Sequence, residues 1–302
     1  MNKSISLGLA LASSLSVFMG IPPVVAAEMR VVSDQAVTGF VHPESVACDP
    51  RGKVLYVSQF GSELKPTLKD GKGKISRVSL TGQVLEDTFL PPAGEVLHKP
   101  KGIWVEGDRL WVTDIDVVWV FDLKSRRGRK AALPGVKFAN DPTVRSNVLF
   151  VSDNRVDQLF RVEPADFLDL KGQPKTTVMF SGKSIHPNGL YPAADGSLLM
   201  VGFKSAQEAK GIYTFGPSGE IKPLSGELGR LDGVYQMADG SLLITDWNSG
   251  SLARWSAKAG MQKLVSGFKG PADFCVVPEA KGLLVVVPDL VKSELRLIGL
   301  AH

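Results

Sequence analysis

The chain has 302 residues, a formal net charge of +4 and a hydrophobic fraction of 44%. That length holds one large domain or two small ones, and the mild positive excess, with no cationic run beyond Lys124–Lys130, argues against a nucleic-acid-binding protein. Cys48 and Cys275 are the only cysteines and CxxC is absent, which excludes a zinc ribbon.

In chain order, residues 1–27 read as a signal peptide. Lys3 gives the positive start, an apolar run extends from Ile5 to Ile21, Pro22-Pro23 ends it, and Val25-Ala26-Ala27 supplies the small residues of a cleavage site. The expected mature domain is residues 28–302, placed in the periplasm or secreted. No later segment is long and apolar enough to span a bilayer.

From there one unit recurs: a small polar turn, an apolar strand, a Gly-containing turn and a second apolar strand. Clear copies run from Lys99-Pro100-Lys101-Gly102 to Asp114, from Pro187-Asn188-Gly189 to Val201, and from Leu231-Asp232-Gly233 to Asp246. Weaker copies begin at Pro43-Glu44, Asn140-Asp141-Pro142 and Pro271-Ala272. A period of 40–57 residues with strand-length runs and almost no helical periodicity predicts an all-β, six-bladed β-propeller with four-stranded blades. Pro164–Gly172 is the one stretch that suits a helical turn. Only three strands follow Ala272, so the mature N-terminal strand at Met29–Ser33 is expected to complete the last blade and remove an open sheet edge.

Cys48 and Cys275 fall on the innermost strands of the first and last units. A disulfide there would staple the ring, yet blade sheets pack about 10 Å apart and the two lie at different offsets from their turns. The expectation is two buried thiols. Asp114, Asp153 and Asp246 end second strands and read as turn-capping residues. Trp104, Trp111, Trp119 and Phe121 read as β-core. His42, His98 and His186 stand close to the ring turns, where a loop histidine is ordinarily solvated. GxSxG, HExxH and dinucleotide motifs are absent, and Gly182-Lys183-Ser184 has Thr177 where a phosphate loop needs its first glycine.

The inner strands of a propeller all start on one face, so their first residues converge on the axis. In order these are Glu44, Lys101, Asp141, Asn188, Asp232 and Ala272, with Asn140 beside Asp141. Carboxylates and amides brought together in this way repel unless a cation sits among them, and oxygen donors suit Ca²⁺ first, with Mg²⁺, Mn²⁺ or Zn²⁺ as alternatives.

The words Pro43-Glu44, Phe138-Ala139-Asn140-Asp141, Pro187-Asn188-Gly189-Leu190 and Leu231-Asp232-Gly233-Val234 resemble the senescence-marker-protein/gluconolactonase (regucalcin-like) family. The resemblance implies that Glu44, Asn188 and Asp232 bind one divalent ion, that Asn140 holds substrate or a further ligand position, and that Asp232 is the catalytic base. It also implies a hydrolase of a small cyclic ester, a lactonase of the sugar-lactone type. The chain departs from the family at Ser45-Val46, where Gly-Pro is usual, and at Lys101. That lysine either binds an acidic substrate or pairs with Glu44 or Asp232 in place of the ion. The alternative functions are a non-catalytic NHL-like propeller that binds a protein or carbohydrate, and a strictosidine-synthase-like enzyme. The expected partner is a small molecule, with no nucleic acid and no stable membrane insertion.

Overall fold

The computed structural model describes residues 29–49, 51 and 53–301, so the expected signal peptide and His302 lie outside the described residues. The repeat folds into six four-stranded antiparallel sheets, giving a six-bladed β-propeller. After β1 (Arg30–Val37), blade one comprises β2 (Pro43–Asp49), β3 (Val54–Gln59), β4 (Lys74–Ser79) and β5 (Val84–Leu90). Blade two holds β6 (Pro100–Glu106), β7 (Arg109–Asp114), β8 (Val117–Asp122) and β9 (Gly128–Ala132). Blade three holds β10 (Pro142–Arg145), β11 (Val148–Asp153), β12 (Gln158–Glu163) and β13 (Lys175–Ser181). Blade four is built of β14 (Pro187–Pro192), β15 (Leu198–Gly202), β16 (Ile212–Phe215) and β17 (Ile221–Pro223). Blade five follows with β18 (Leu231–Gln236), β19 (Leu242–Asp246), β20 (Ser251–Ser256) and β21 (Gly260–Ser266). Blade six has β22 (Cys275–Glu279), β23 (Gly282–Asp289) and β24 (Glu294–Ala301), and β1 lies antiparallel on β24 with Arg30 opposite Ala301.

The second strands are buried on both faces because each blade packs between two others, and they are written as short apolar runs: Val-Leu-Tyr-Val in β3, Leu-Phe-Val in β11, Leu-Leu-Met-Val in β15. In blades four and five the hairpin into that strand is Asp-Gly-Ser. Gly196 and Gly240 take φ +81° and +80°, and Ser197 and Ser241 donate to Asp195 and Asp239. Trp119 stacks on Phe121 at 5.2 Å in the core. Pro164–Gly172 is an irregular loop rather than a helical turn. Burial of Phe167 and Leu168 beside blade two, and the Trp111 indole donating to the Ala165 carbonyl at 2.8 Å, fix a path that a helix would break.

Two side-chain devices tie the blades together. A hydroxyl near the end of a second strand donates to the carbonyl of the next blade's first inner residues: Ser58 to Lys101 (2.7 Å), Thr113 to Asn140, Ser152 to Asn188 (2.6 Å) and Thr245 to Ala272 (3.0 Å). The aspartate at the strand end then accepts backbone N–H groups from its own blade's incoming turn. Asp114 takes His98 and Lys99, Asp153 takes Lys137 and Phe138, Asp246 takes Arg230, and Asp289 takes Lys269 and Gly270. These carboxylates therefore serve as backbone hooks, and Asp289 belongs with them.

Cys48 and Cys275 form a disulfide with Cα atoms 5.7 Å apart, which corrects the expectation of two thiols. Sheet-to-sheet spacing is the wrong measure here because inner strands converge on the axis. Asp273 N donates to the Glu44 carbonyl at 3.2 Å, and Ser45 pairs in parallel with Asp273. The unequal offsets vanish because β2 carries one extra residue between Pro43 and Ser45, a bulge that brings both cysteines level.

Candidate active site

The same bulge recurs where β6, β14 and β18 begin. Regular pairing is interrupted between Pro100 and Ile103, Pro187 and Leu190, and Leu231 and Val234. The residues left out of register are Glu44, Lys101-Gly102, Asn188-Gly189 and Asp232-Gly233. A bulge re-aims a side chain, and the glycine after it lets the next blade approach. A Cβ on Gly189 would collide with the Asp232 carbonyl oxygen, and one on Gly102 with the Asn140 carbonyl oxygen.

At this face the channel opens into a cavity of about 510 Å³ that brings together Glu44, Asn140, Asn188 and Asp232. Asn140 Nδ2 donates to Asn188 Oδ1, Asn188 Nδ2 reaches the Leu231 carbonyl at 3.3 Å, and the Trp247 indole donates to Asp232 Oδ2 at 2.8 Å. Glu44 Oε2 is buried without a hydrogen-bond partner. At the opposite mouth, where inner strands end, a second cavity of about 240 Å³ lies beside the disulfide and the apolar faces of the inner strands.

Three expected ring positions are placed differently. Asp141 faces the smaller cavity and accepts the Leu190 N–H at 2.7 Å, because consecutive residues of an extended chain point to opposite sides and Asn140 takes the upper one. Ala272 offers no donor, and Asp273, one residue on, enters the channel and accepts the Ser45 hydroxyl at 2.7 Å. Lys101 is fully buried beneath the cavity floor. Its Nζ donates to the Lys99 carbonyl at 3.3 Å and lies 4.2 Å from the centre of the Phe138 ring, with no carboxylate within 4.0 Å among the described residues. It is a fixed cation near the site, not a salt-bridge partner in it.

Burial dominates the electrostatics. It pushes the Glu44 carboxyl well above its ordinary value, with Asp232 adding to the rise and Lys101 opposing it. Asp232 is pushed up to about 8 by burial and then by Asp273, against hydrogen bonds from Trp247 and Asn188. Asp273 rises to about 6 and Asp141 also rises, both mainly through burial. Lys101 is lowered to about 8 by burial, partly offset by Glu44. The channel thus stores protons on carboxyls that a cation would displace.

Several lining residues carried a signal that the repeat could have exposed. In five of the six blades the residue just after the second strand faces the mouth: Phe60, Asn154, Phe203, Trp247 and Leu290 line the cavity, while Ile115 of blade two is buried in the core. Arg155 follows Asn154 in the same turn. The Gly61–Lys72 connection adds Leu64 and Pro66, and the buried Lys99–Asp70 pair at 2.8 Å anchors it. Of the histidines, His186 lines the cavity with Nδ1 2.7 Å from the Asn154 carbonyl, whereas His42 and His98 bond to Leu290 and Gly71 in surrounding loops. In the Lys124–Lys130 turn, Lys124, Arg126 and Arg127 pair with Asp108, Glu86 and Asp169.

No family model and no curated protein sequence matches the chain. Among solved structures, a gluconolactonase from Xanthomonas campestris superposes with a TM-score of 0.64 at 14% identity, covering 90% of this chain and 91% of that one. Virginiamycin B lyase from Staphylococcus aureus gives 0.61 at 15% identity, covering 90% and 99%. A chain of a nidogen/laminin complex gives 0.56 at 19%, covering 72% and 76%. In fold the chain is like the gluconolactonase and virginiamycin B lyase propellers, in keeping with the resemblance its turn motifs carry.

Proposed function

We propose that the chain is an exported hydrolase of a small cyclic ester, working with one divalent cation held by Glu44, Asn188 and Asp232. The observation that carries this reading is the orphaned Glu44 Oε2, buried in the same cavity as an Asp232 whose carboxyl is pushed up to about 8. Two carboxyls in that condition make a poor anion pair and a good cation seat, and the Asn188 side-chain oxygen Oδ1 keeps a lone pair beyond its bond to Asn140. A cation there supplies positive charge that polarises the ester carbonyl and lowers the pKa of water. Asp232, oriented by Trp247, takes the proton from the attacking water. Asn140 positions the substrate oxygen, and Phe138, Phe203 and Trp247 enclose the ring. Export is supported by the disulfide, which persists in oxidising compartments.

A binding propeller without catalysis is the second reading, favoured by Lys101 as a built-in positive charge that opposes the rise of Glu44. Activity against a panel of lactones, with chelator and with Ca²⁺, Mg²⁺, Mn²⁺ or Zn²⁺ restored, separates the two. Asp232→Asn is expected to lower kcat about 100-fold or more. Hydrolysis indifferent to both chelation and Asp232→Asn defeats the proposal.

A further inference from the structure

The walls of the mouth differ in character across the channel. The connections of blades six and one present Leu290, Val291, Leu64 and Pro66, and Leu64 and Val291 are each 43% exposed. In a six-membered ring those blades stand opposite blades three and four, whose connections present Arg155, His186 and Lys204 beside Asn154 and Phe203. Lys204 is taken up by Glu208 at 2.8 Å, and His186 Nδ1 lies 2.7 Å from the Asn154 carbonyl. Arg155 has no such partner. Its side chain is exposed, its guanidinium carbon lies over the Phe138 ring 4.1 Å from the centre, and it makes no ion pair among the described residues. A guanidinium held over an aromatic ring loses little freedom when it grips a carboxylate with both nitrogens, and among the described residues none of its side-chain donors is taken up by a hydrogen bond or ion pair.

We propose that the ligand of this mouth is an anionic amphiphile: its carboxylate bound by Arg155, its aliphatic arm lying on Leu64, Pro66, Leu290 and Val291. This rests on the reading above that the mouth is the substrate side, and narrows the cyclic ester to one bearing an acidic group and an apolar arm instead of a neutral polyhydroxylated ring. The cavity of about 510 Å³ falls within the range of sites that enclose a small ligand.

The test is calorimetric binding of octanoate and of 1-octanol at pH 7 in chelator, so that neither a divalent cation nor turnover contributes. Octanoate is expected to bind about tenfold more tightly than octanol and to weaken as salt is raised, whereas octanol should ignore salt. Arg155→Gln should abolish the difference between the two probes without shifting the melting temperature, since the side chain is exposed. Leu64→Ser should weaken both probes alike. Equal affinity of the wild-type protein for the two probes, no binding of either, or an Arg155→Gln effect that falls equally on both, overturns the proposal. Selective octanoate binding in a protein that hydrolyses no lactone overturns the hydrolase and leaves the anion site. Lactone hydrolysis with no preference for octanoate does the reverse.

Discussion

Asp232 gives the sharpest handle on the site, because its ionisation is linked to stability with a sign opposite to that of most carboxylates. Its carboxyl is pushed up to about 8 from an ordinary 3.8, so the folded chain retains a proton that the unfolded chain has released. Stability from this group is therefore full below about pH 4 and is lost as pH rises towards 8. At 1.36 kcal/mol for each pH unit, the loss has an upper bound of about 6 kcal/mol, a large share of the 5–15 kcal/mol that ordinarily holds a domain folded. Glu44 and Asp273 rise as well and act in the same direction. Lys101, lowered to about 8 from 10.5, acts oppositely and only at higher pH: there the unfolded chain binds more protons, and stability recovers. In chelator, urea titrations from pH 5 to 10 should show a minimum near pH 8. Ca²⁺ should fill in that minimum, and so should Asp232→Asn, which cannot ionise. A metal-free protein whose stability is flat between pH 5 and 8, or an Asp232→Asn variant with the full pH dependence, would refute the reasoning.

Removing the charge at Lys101 with Lys101→Met makes the cavity more negative, so Ca²⁺ should bind about tenfold more tightly by calorimetry, equivalent to 1.4 kcal/mol; weaker binding would mean that the lysine helps to build the seat. Replacing both Cys48 and Cys275 with serine frees a loop spanning 227 residues, and chain entropy puts the loss at about 5 kcal/mol. A change below about 1 kcal/mol in urea unfolding would show that β1 on β24 closes the ring unaided. Gly189→Ala drives a methyl into the Asp232 carbonyl oxygen and should erase the thermal shift produced by Ca²⁺. A shift of wild-type size would show that the close approach is not what sets Asp232.

The blade count was legible because each unit restarts with a small polar turn and passes through an apolar run, and those residues are dictated by burial on two faces. The mouth residues Glu44, Asn140, Asn188 and Asp232 were legible for the related reason that polar residues interrupt the apolar pattern where each inner strand begins, a place that Lys101 shares. Asp141 was misplaced, and Asp273 was passed over for Ala272, because assigning one ring position per blade ignores alternation, which moves a side chain by a whole face for a shift of one residue. The disulfide was hidden by a bulge that no residue in β2 announces. Arg155 and Trp247 lie in hairpin turns outside the repeated strand pattern, and only the position just past the hooking aspartate marks that segment as facing the mouth.

The hooking aspartates also determine what this ring can tolerate. Asp114, Asp153, Asp246 and Asp289 grip amide hydrogens, a group every residue but proline possesses, so the hold is blind to side-chain identity. Phe138 and Arg230 are held by the main chain while their rings and charges stay uncommitted to the hook. Substitutions at those places can therefore exchange an aromatic for a cation or an amide at the rim without loosening the blade behind it. The scaffold and its chemistry are written in different atoms of the same residues, which leaves the recognition surface open to change while the propeller remains standing.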